Sequence, residues 1–334
     1  MDWKHETMKN KTQLNYIEIL RAFATVLVVI GHALCVCLGA WGHKVFINEG
    51  MGYILFKWIY SFHMPLFAFI TGYLFYYQFE IREKKVTVKK FLIDKIRRLI
   101  IPLFIFKYFL LQPIWAVTEQ RAYPTVESYL INTEVGYLWF LYIIFAIYMT
   151  LYFIKFIRKK AIVSSLVVLI ACNCFSGYFP SQVNRFLELL FYAILGMLLC
   201  KKTIYNKIKV RMLPLYISVY MGLYVVTQYN EGILGNVTGH LSRMMIMIIL
   251  LMISQAIHCN NQTKAFISVI SVNSMGIYLF HEPMLEWVAA YENFLPHMNM
   301  LFETVVLVVI SILMSIVITI LIKKSKLGWI IGEK

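Results

Sequence analysis

The chain is a succession of ten apolar segments, each close to the length that crosses a bilayer, and that pattern excludes most other architectures. The segments fall at 16–38, 53–77, 99–117, 136–157, 161–178, 186–200, 212–228, 241–258, 266–285 and 302–322. About 20 helical residues cross the hydrocarbon core, and there every backbone N–H and C=O must be satisfied within the segment. The predicted fold class is therefore an all-α polytopic membrane protein with about ten transmembrane helices. Composition agrees, with 60% of residues hydrophobic and 15% charged, whereas about a quarter of a soluble domain is charged. The run from Ile17 to Leu38 is too long for a signal-peptide core, and no small-residue cleavage site follows it, so it reads as the first span. A single membrane-embedded domain over 1–334 is expected, with short tails at 1–15 and 323–334.

The basic residues orient the spans. With the N-terminus cytoplasmic, 25 of the 32 Lys and Arg fall in cytoplasmic segments, and only Lys44, Arg121 and Arg185 lie outside. This positive-inside bias predicts that both termini are cytoplasmic. It also accounts for the net charge of +15 without a nucleic-acid partner, since the cations lie in short runs between spans rather than on one binding face. The expected partner is the bilayer itself. The cysteines (Cys35, Cys37, Cys172, Cys174, Cys200 and Cys259) form no C-x-x-C and mostly sit in or at the ends of apolar runs. They read as small hydrophobes, with neither a metal site nor a disulfide framework.

Ionisable residues inside spans are costly, so they point to function by default. Span 1 carries Glu18, Arg21 and His32. Glu18 and Arg21 are three apart and share a helix face. Arg21 and His32, eleven apart, also share a face, separated by roughly 16 Å of rise. Read alone, Arg21 is equally a snorkelling cation and His32 equally a packed histidine; together, above a matching acid, they mark a site. In span 2, His63 lies beside Pro65, and Gly72 further on allows close packing. A proline break that lines a cavity is expected there. Span 9 holds Tyr278, His281 and Glu282, which would equally suit an interfacial anchor.

These residues resemble membrane-bound acyltransferase family 3. Glu18, Arg21 and His32 match its Asp/Glu-x-x-Arg-x10-His opening. Phe62-His63-Met64-Pro65-Leu66-Phe67, followed by Thr71-Gly72-Tyr73-Leu74, resembles its F-H-x-P-x-F…S-G-[FY]-L segment, with Thr71 in place of serine. Lys95-Ile96-Arg97-Arg98-Leu99-Ile100-Ile101-Pro102 resembles its R-R-x-x-R-[IL]-x-P element, without the later arginine. Leu138-Trp139-Phe140-Leu141 and the run from Ser274 to Pro283 resemble two later motifs. The chain ends four residues after Ile330, which resembles the stand-alone form without an added esterase-like domain.

The resemblance implies a multi-pass cell-membrane enzyme. It would move an acyl group, most often acetyl, from cytoplasmic acyl-CoA to a hydroxyl of an envelope glycan or its lipid-linked precursor, such as capsule or exopolysaccharide. Acyl-CoA would be a donor substrate; no permanently bound cofactor is expected. His32 is the expected general base, because an alcohol attacking a thioester must lose a proton. Glu18 would position Arg21, while Glu282 or a residue of another helix would orient His32. Arg21, Lys95, Arg97 and Arg98 suit the coenzyme phosphates. The pantetheine arm spans about 15–20 Å, close to the Arg21–His32 rise. His63, Trp139, Tyr278, His281 and Glu282 are the remaining expected donor- or acceptor-binding residues. The competing reading is a polysaccharide exporter or flippase, which explains polar residues in spans but not the basic patch below His32.

Overall fold

The computed structural model describes residues 2–40, 46–118, 127, 135–154, 180–200, 210–290 and 299–333. Among these the chain is helical, without a strand. Among the described residues eight helices are long and apolar enough to cross a membrane, or nine if a pair bent by 68° counts as one span. The chain is thus an all-α, multi-pass membrane protein. The span expected at 161–178 lies outside the described residues, as do Cys172 and Cys174.

The first two spans are α1 (Asp2–Leu38), unbroken past both Arg21 and His32, and α2 (Gly50–Tyr76), extended by a π-helical turn at Tyr77–Ile81. The helix runs through Pro65 without interruption, so the expected break beside His63 is not there. A membrane helix tolerates proline when neighbouring groups satisfy the freed carbonyl. The third span is longer than the apolar run at 99–117, because the basic stretch before it is also helical. It comprises α3 (Val88–Lys95), a π-helical turn at Ile96–Ile100, α4 (Ile101–Phe106), a second π-helical turn at Lys107–Leu111, and α5 (Gln112–Thr118). Thr87 starts it, its hydroxyl accepting from Lys90 N–H.

A 3-10 turn at Gly136–Leu138 leads into α6 (Trp139–Ile154). Then come α7 (Ser181–Cys200), α8 (Leu213–Tyr229) and α9 (Gly232–Ala256). The segment expected as the ninth span is not one rod: α10 (Asn261–Val272) and α11 (Ser274–Ala290) meet at 68° around Asn273. The last span, α12 (Met300–Lys324), is capped by Asn299 and carries Glu303 in its first turn and Lys323 and Lys324 in its last, matching the helix dipole.

The chain divides into two compact units. The first comprises residues 1–24, 62–86 and 146–268. Here α2 and α7 approach backbone to backbone: a Cβ on Gly72 would overlap the Ala193 carbonyl, and one on Gly196 would overlap that of Phe69. Small residues permit such contact where no hydrophobic force draws helices together. α7 and α9 are further joined by an Arg243–Glu188 ion pair and by Tyr192 OH to His240 Nδ1 at 3.0 Å. The second unit comprises residues 25–61, 87–145 and 269–334. Its α11 and α12 pack at Gly276, where a Cβ would strike Thr319. Ala33, Val36, Cys37, Leu285 and Leu307 form a buried apolar cluster above this crossing.

Candidate active site

Within the second unit, two helices far apart in sequence place three ionisable side chains in contact. His32 projects from α1. Its Nδ1 lies 2.9 Å from Glu282 Oε2 and 3.0 Å from His281 Nε2, both from α11. The two imidazoles are stacked, with centroids 4.9 Å apart. His281 is wholly buried, Glu282 nearly so, and His32 keeps 12% of its side chain accessible.

The neighbours determine where the protons sit. His281 Nδ1 is 2.9 Å from the Ile277 carbonyl and 2.8 Å from that of Tyr278. Carbonyls only accept, so His281 Nδ1 carries hydrogen and, in the neutral ring, Nε2 carries the lone pair. That lone pair and the Glu282 carboxylate both face His32 Nδ1. A proton on Nδ1 satisfies both acceptors, whereas a lone pair there would face the carboxylate unfavourably. His32 is thereby held in the Nδ1–H tautomer, with its lone pair on Nε2.

Further hydrogen bonds tie α11 to its neighbours. Ser311 Oγ on α12 donates to the His281 carbonyl at 3.3 Å. Tyr137 OH donates to the Leu279 carbonyl at 2.5 Å, and Tyr278 OH donates in return to the Tyr137 carbonyl. The Tyr137 ring meets His281 edge-on at 5.6 Å. On the other side, Tyr60 from α2 lies 6.2 Å from the His32 ring and hydrogen-bonds Cys35 Sγ at 2.8 Å. Gly31 leaves room for Tyr60, since a Cβ there would come within 3.2 Å of its ring.

His281 and Glu282, which the sequence assigned to substrate binding, therefore lie against His32. Tyr278 braces the same helix. Trp139 is half-buried and meets Phe140 edge-to-face at 5.9 Å; it is the preceding Tyr137 that touches His281. Arg97 and Arg98 are exposed on the π-helical turn before α4, and Lys95 lies over the Phe91 ring at 5.5 Å. Eight residues beyond Arg98, about 12 Å along a helix, Phe106 packs edge-to-face on Phe280, the neighbour of His281. Glu18 and Arg21 are half-buried on α1, and His63 is buried on α2; all three belong to the first unit. The sequence reading missed Tyr60 and Tyr137, because neither is ionised at neutral pH and both resemble ordinary aromatic packing. It also left Lys107 without a role, although this lysine is buried on the third span with its ammonium 4.8 Å from the Tyr108 ring.

His32, His281 and Glu282 also offer ligand atoms lying within 4.8 Å of one another. Two imidazoles and a carboxylate could hold a divalent metal, although His32 Nδ1, both His281 nitrogens and Glu282 Oε2 are engaged in the contacts above. A family model described as an acyltransferase domain, that of acyltransferase family 3, matches residues 14–324. No curated protein and no solved structure matches the chain.

Proposed function

The chain belongs to acyltransferase family 3, and from that premise we propose that it transfers an acyl group, acetyl first among candidates, from cytoplasmic acyl-CoA to a hydroxyl of a cell-envelope glycan such as capsule or exopolysaccharide, at the cell membrane. The observation that carries the mechanism is the contact of His32 Nδ1 with Glu282 and His281. It leaves the lone pair on His32 Nε2, as a general base requires. In the proposed reaction, Nε2 takes the proton of the acceptor hydroxyl as its oxygen attacks the thioester carbonyl. The C–S bond then breaks, and the proton passes from His32 to the departing thiolate. The Glu282 carboxylate stabilises the imidazolium that forms in between, the role of the acid in a hydrolytic triad.

Arg97, Arg98 and Lys95 are assigned to the coenzyme phosphates, because guanidinium forks match phosphate oxygens. Phe106 and Phe280 would flank the acyl-carrying arm on its way inward. The roles of Glu18, Arg21 and His63 rest on their motifs alone.

The test is mass analysis of the surface glycan in cells carrying wild type, His32→Ala or His32→Gln. Removing a general base costs about 10²–10⁴ in rate, so both variants should leave the glycan without acyl esters while protein level and coenzyme binding persist. Near-normal esterification in His32→Gln would exclude His32 as the base.

A further inference from the structure

The segment after the last span is built into the second unit rather than trailing from it. α12 ends in a Schellman-type closure: Leu327 N–H returns to the Ile322 carbonyl at 3.2 Å, and Lys326 takes the left-handed conformation (φ 61). A 3-10 turn follows at Gly328–Ile331, within which Ile331 is fully buried. It packs against the π-helical turn Ile96–Ile100 and against α4.

The contact is closest at Gly332. This residue has φ 74, and a Cβ on it would overlap the carbonyl oxygen of Arg98. Backbone lies directly on backbone, which only glycine permits at that φ. Lys323 secures the arrangement from α12, its ammonium 2.9 Å from Glu333 and 2.9 Å from Asn273 Oδ1 at the bend between α10 and α11.

The supported turn carries both exposed arginines. A π-helical turn is a sparsely used geometry that recurs at functional sites, and here it is braced from behind along the Arg98 backbone. We infer that residues 326–333 are a positioning element for donor binding: Gly332, seated on Arg98, fixes the turn that presents the Arg97 and Arg98 guanidiniums to the phosphates of a nucleotide-bearing thioester. The inference rests on the assignment of that pair to the donor. Gly332 is a positioning residue, acting through Arg97 and Arg98 without touching the ligand.

The test measures the Kd of coenzyme A for the purified full chain in lipid nanodiscs. Four variants are compared with wild type: Gly332→Ala, truncation after Ser325, Arg97→Ala/Arg98→Ala, and the triple variant Arg97→Ala/Arg98→Ala/Gly332→Ala. A left-handed alanine is strained by about 1–2 kcal/mol, a factor of about 5–30, so Gly332→Ala should weaken binding by roughly five- to thirtyfold as the turn shifts. The truncation should weaken it at least as much, and keeps the test open if the alanine variant does not fold. Because the tail acts through the arginines, Gly332→Ala should have no further effect once both are gone. A Gly332→Ala chain and a truncated chain that both bind like wild type would overturn the inference. So would a loss that persists undiminished in the triple variant. Wild-type affinity in Arg97→Ala/Arg98→Ala would instead sink the donor assignment itself.

Discussion

Glu282→Gln is the perturbation most tightly bounded by the geometry. The carboxylate makes a charge-assisted contact to His32 Nδ1, at 2.9 Å. Such a hydrogen bond is worth about 1.5–3 kcal/mol, and each 1.36 kcal/mol off a barrier is tenfold in rate. If the contact matters mainly once His32 is protonated, kcat should fall about 10- to 150-fold. The loss should stop short of that for His32→Gln, because His281 Nε2, at 3.0 Å, still accepts from the same Nδ1–H and preserves the tautomer. Removing both acceptors in Glu282→Leu/His281→Leu should cost far more than His281→Leu alone, since leucine offers no acceptor to Nδ1–H. The assay follows coenzyme A thiol release by the purified chain in liposomes, with acetyl-CoA as donor and de-esterified surface glycan from cells lacking the chain as acceptor. The coenzyme A Kd is measured alongside, and it should stay within about twofold, since Glu282 is placed at the reacting end and away from the phosphates. A kcat within twofold of wild type, in protein that folds and binds coenzyme, would refute the reasoning.

Two further outcomes are expected. Cysteines introduced near Lys84 and Lys324 should be labelled only from the cytoplasmic side, and those near Asn48 and Glu231 only from outside; labelling near Lys84 from outside would reverse the orientation inferred from the basic loops. Gly72→Val should lower the thermal midpoint of the purified chain, because its side chain would enter the Ala193 backbone and overpacking costs about 1–3 kcal/mol or more. Gly222→Val, at a position with nothing within 4 Å of a Cβ, should lower it much less.

The spans were legible because lipid imposes a simple condition, a helix of about 20 apolar residues, and nine of the ten predicted segments coincide with described helices. Their ends were less legible. Val88–Arg98 reads as a basic loop yet is helical, since lysine and arginine are good helix formers once outside the apolar core. The break was misplaced for a related reason. Proline is the usual signal, but α2 passes through Pro65, and the bend falls at Asn273. There the side-chain amide donates to the Val269 carbonyl at 2.8 Å, and Lys323 from α12 donates to the amide oxygen at 2.9 Å. A membrane helix bends where partners exist for the groups that the bend disturbs, and the partner here lies fifty residues away.

The site was legible as a set of residue types and illegible as a set of contacts. Periodicity placed Arg21 and His32 on one face of α1, which suggested that a single helix measures the distance from phosphate grip to base. α1 is continuous past both residues. The second unit contains a series of contacts that periodicity could not reveal: Arg98, then Phe106 about 12 Å further along, then Phe280 and His281 on α11, and His32 across the hydrogen bond. The second route needs α4 to meet α11 and α11 to meet α1, and pairings between helices leave no mark in the spacing of one sequence. What the sequence did carry was the cost of placing an acid and two histidines where lipid is the solvent. Such groups pair with one another, with backbone carbonyls or with water in a cavity, so Glu282 was one candidate to orient His32, whereas the stacking of His281 on His32 was not foreseen.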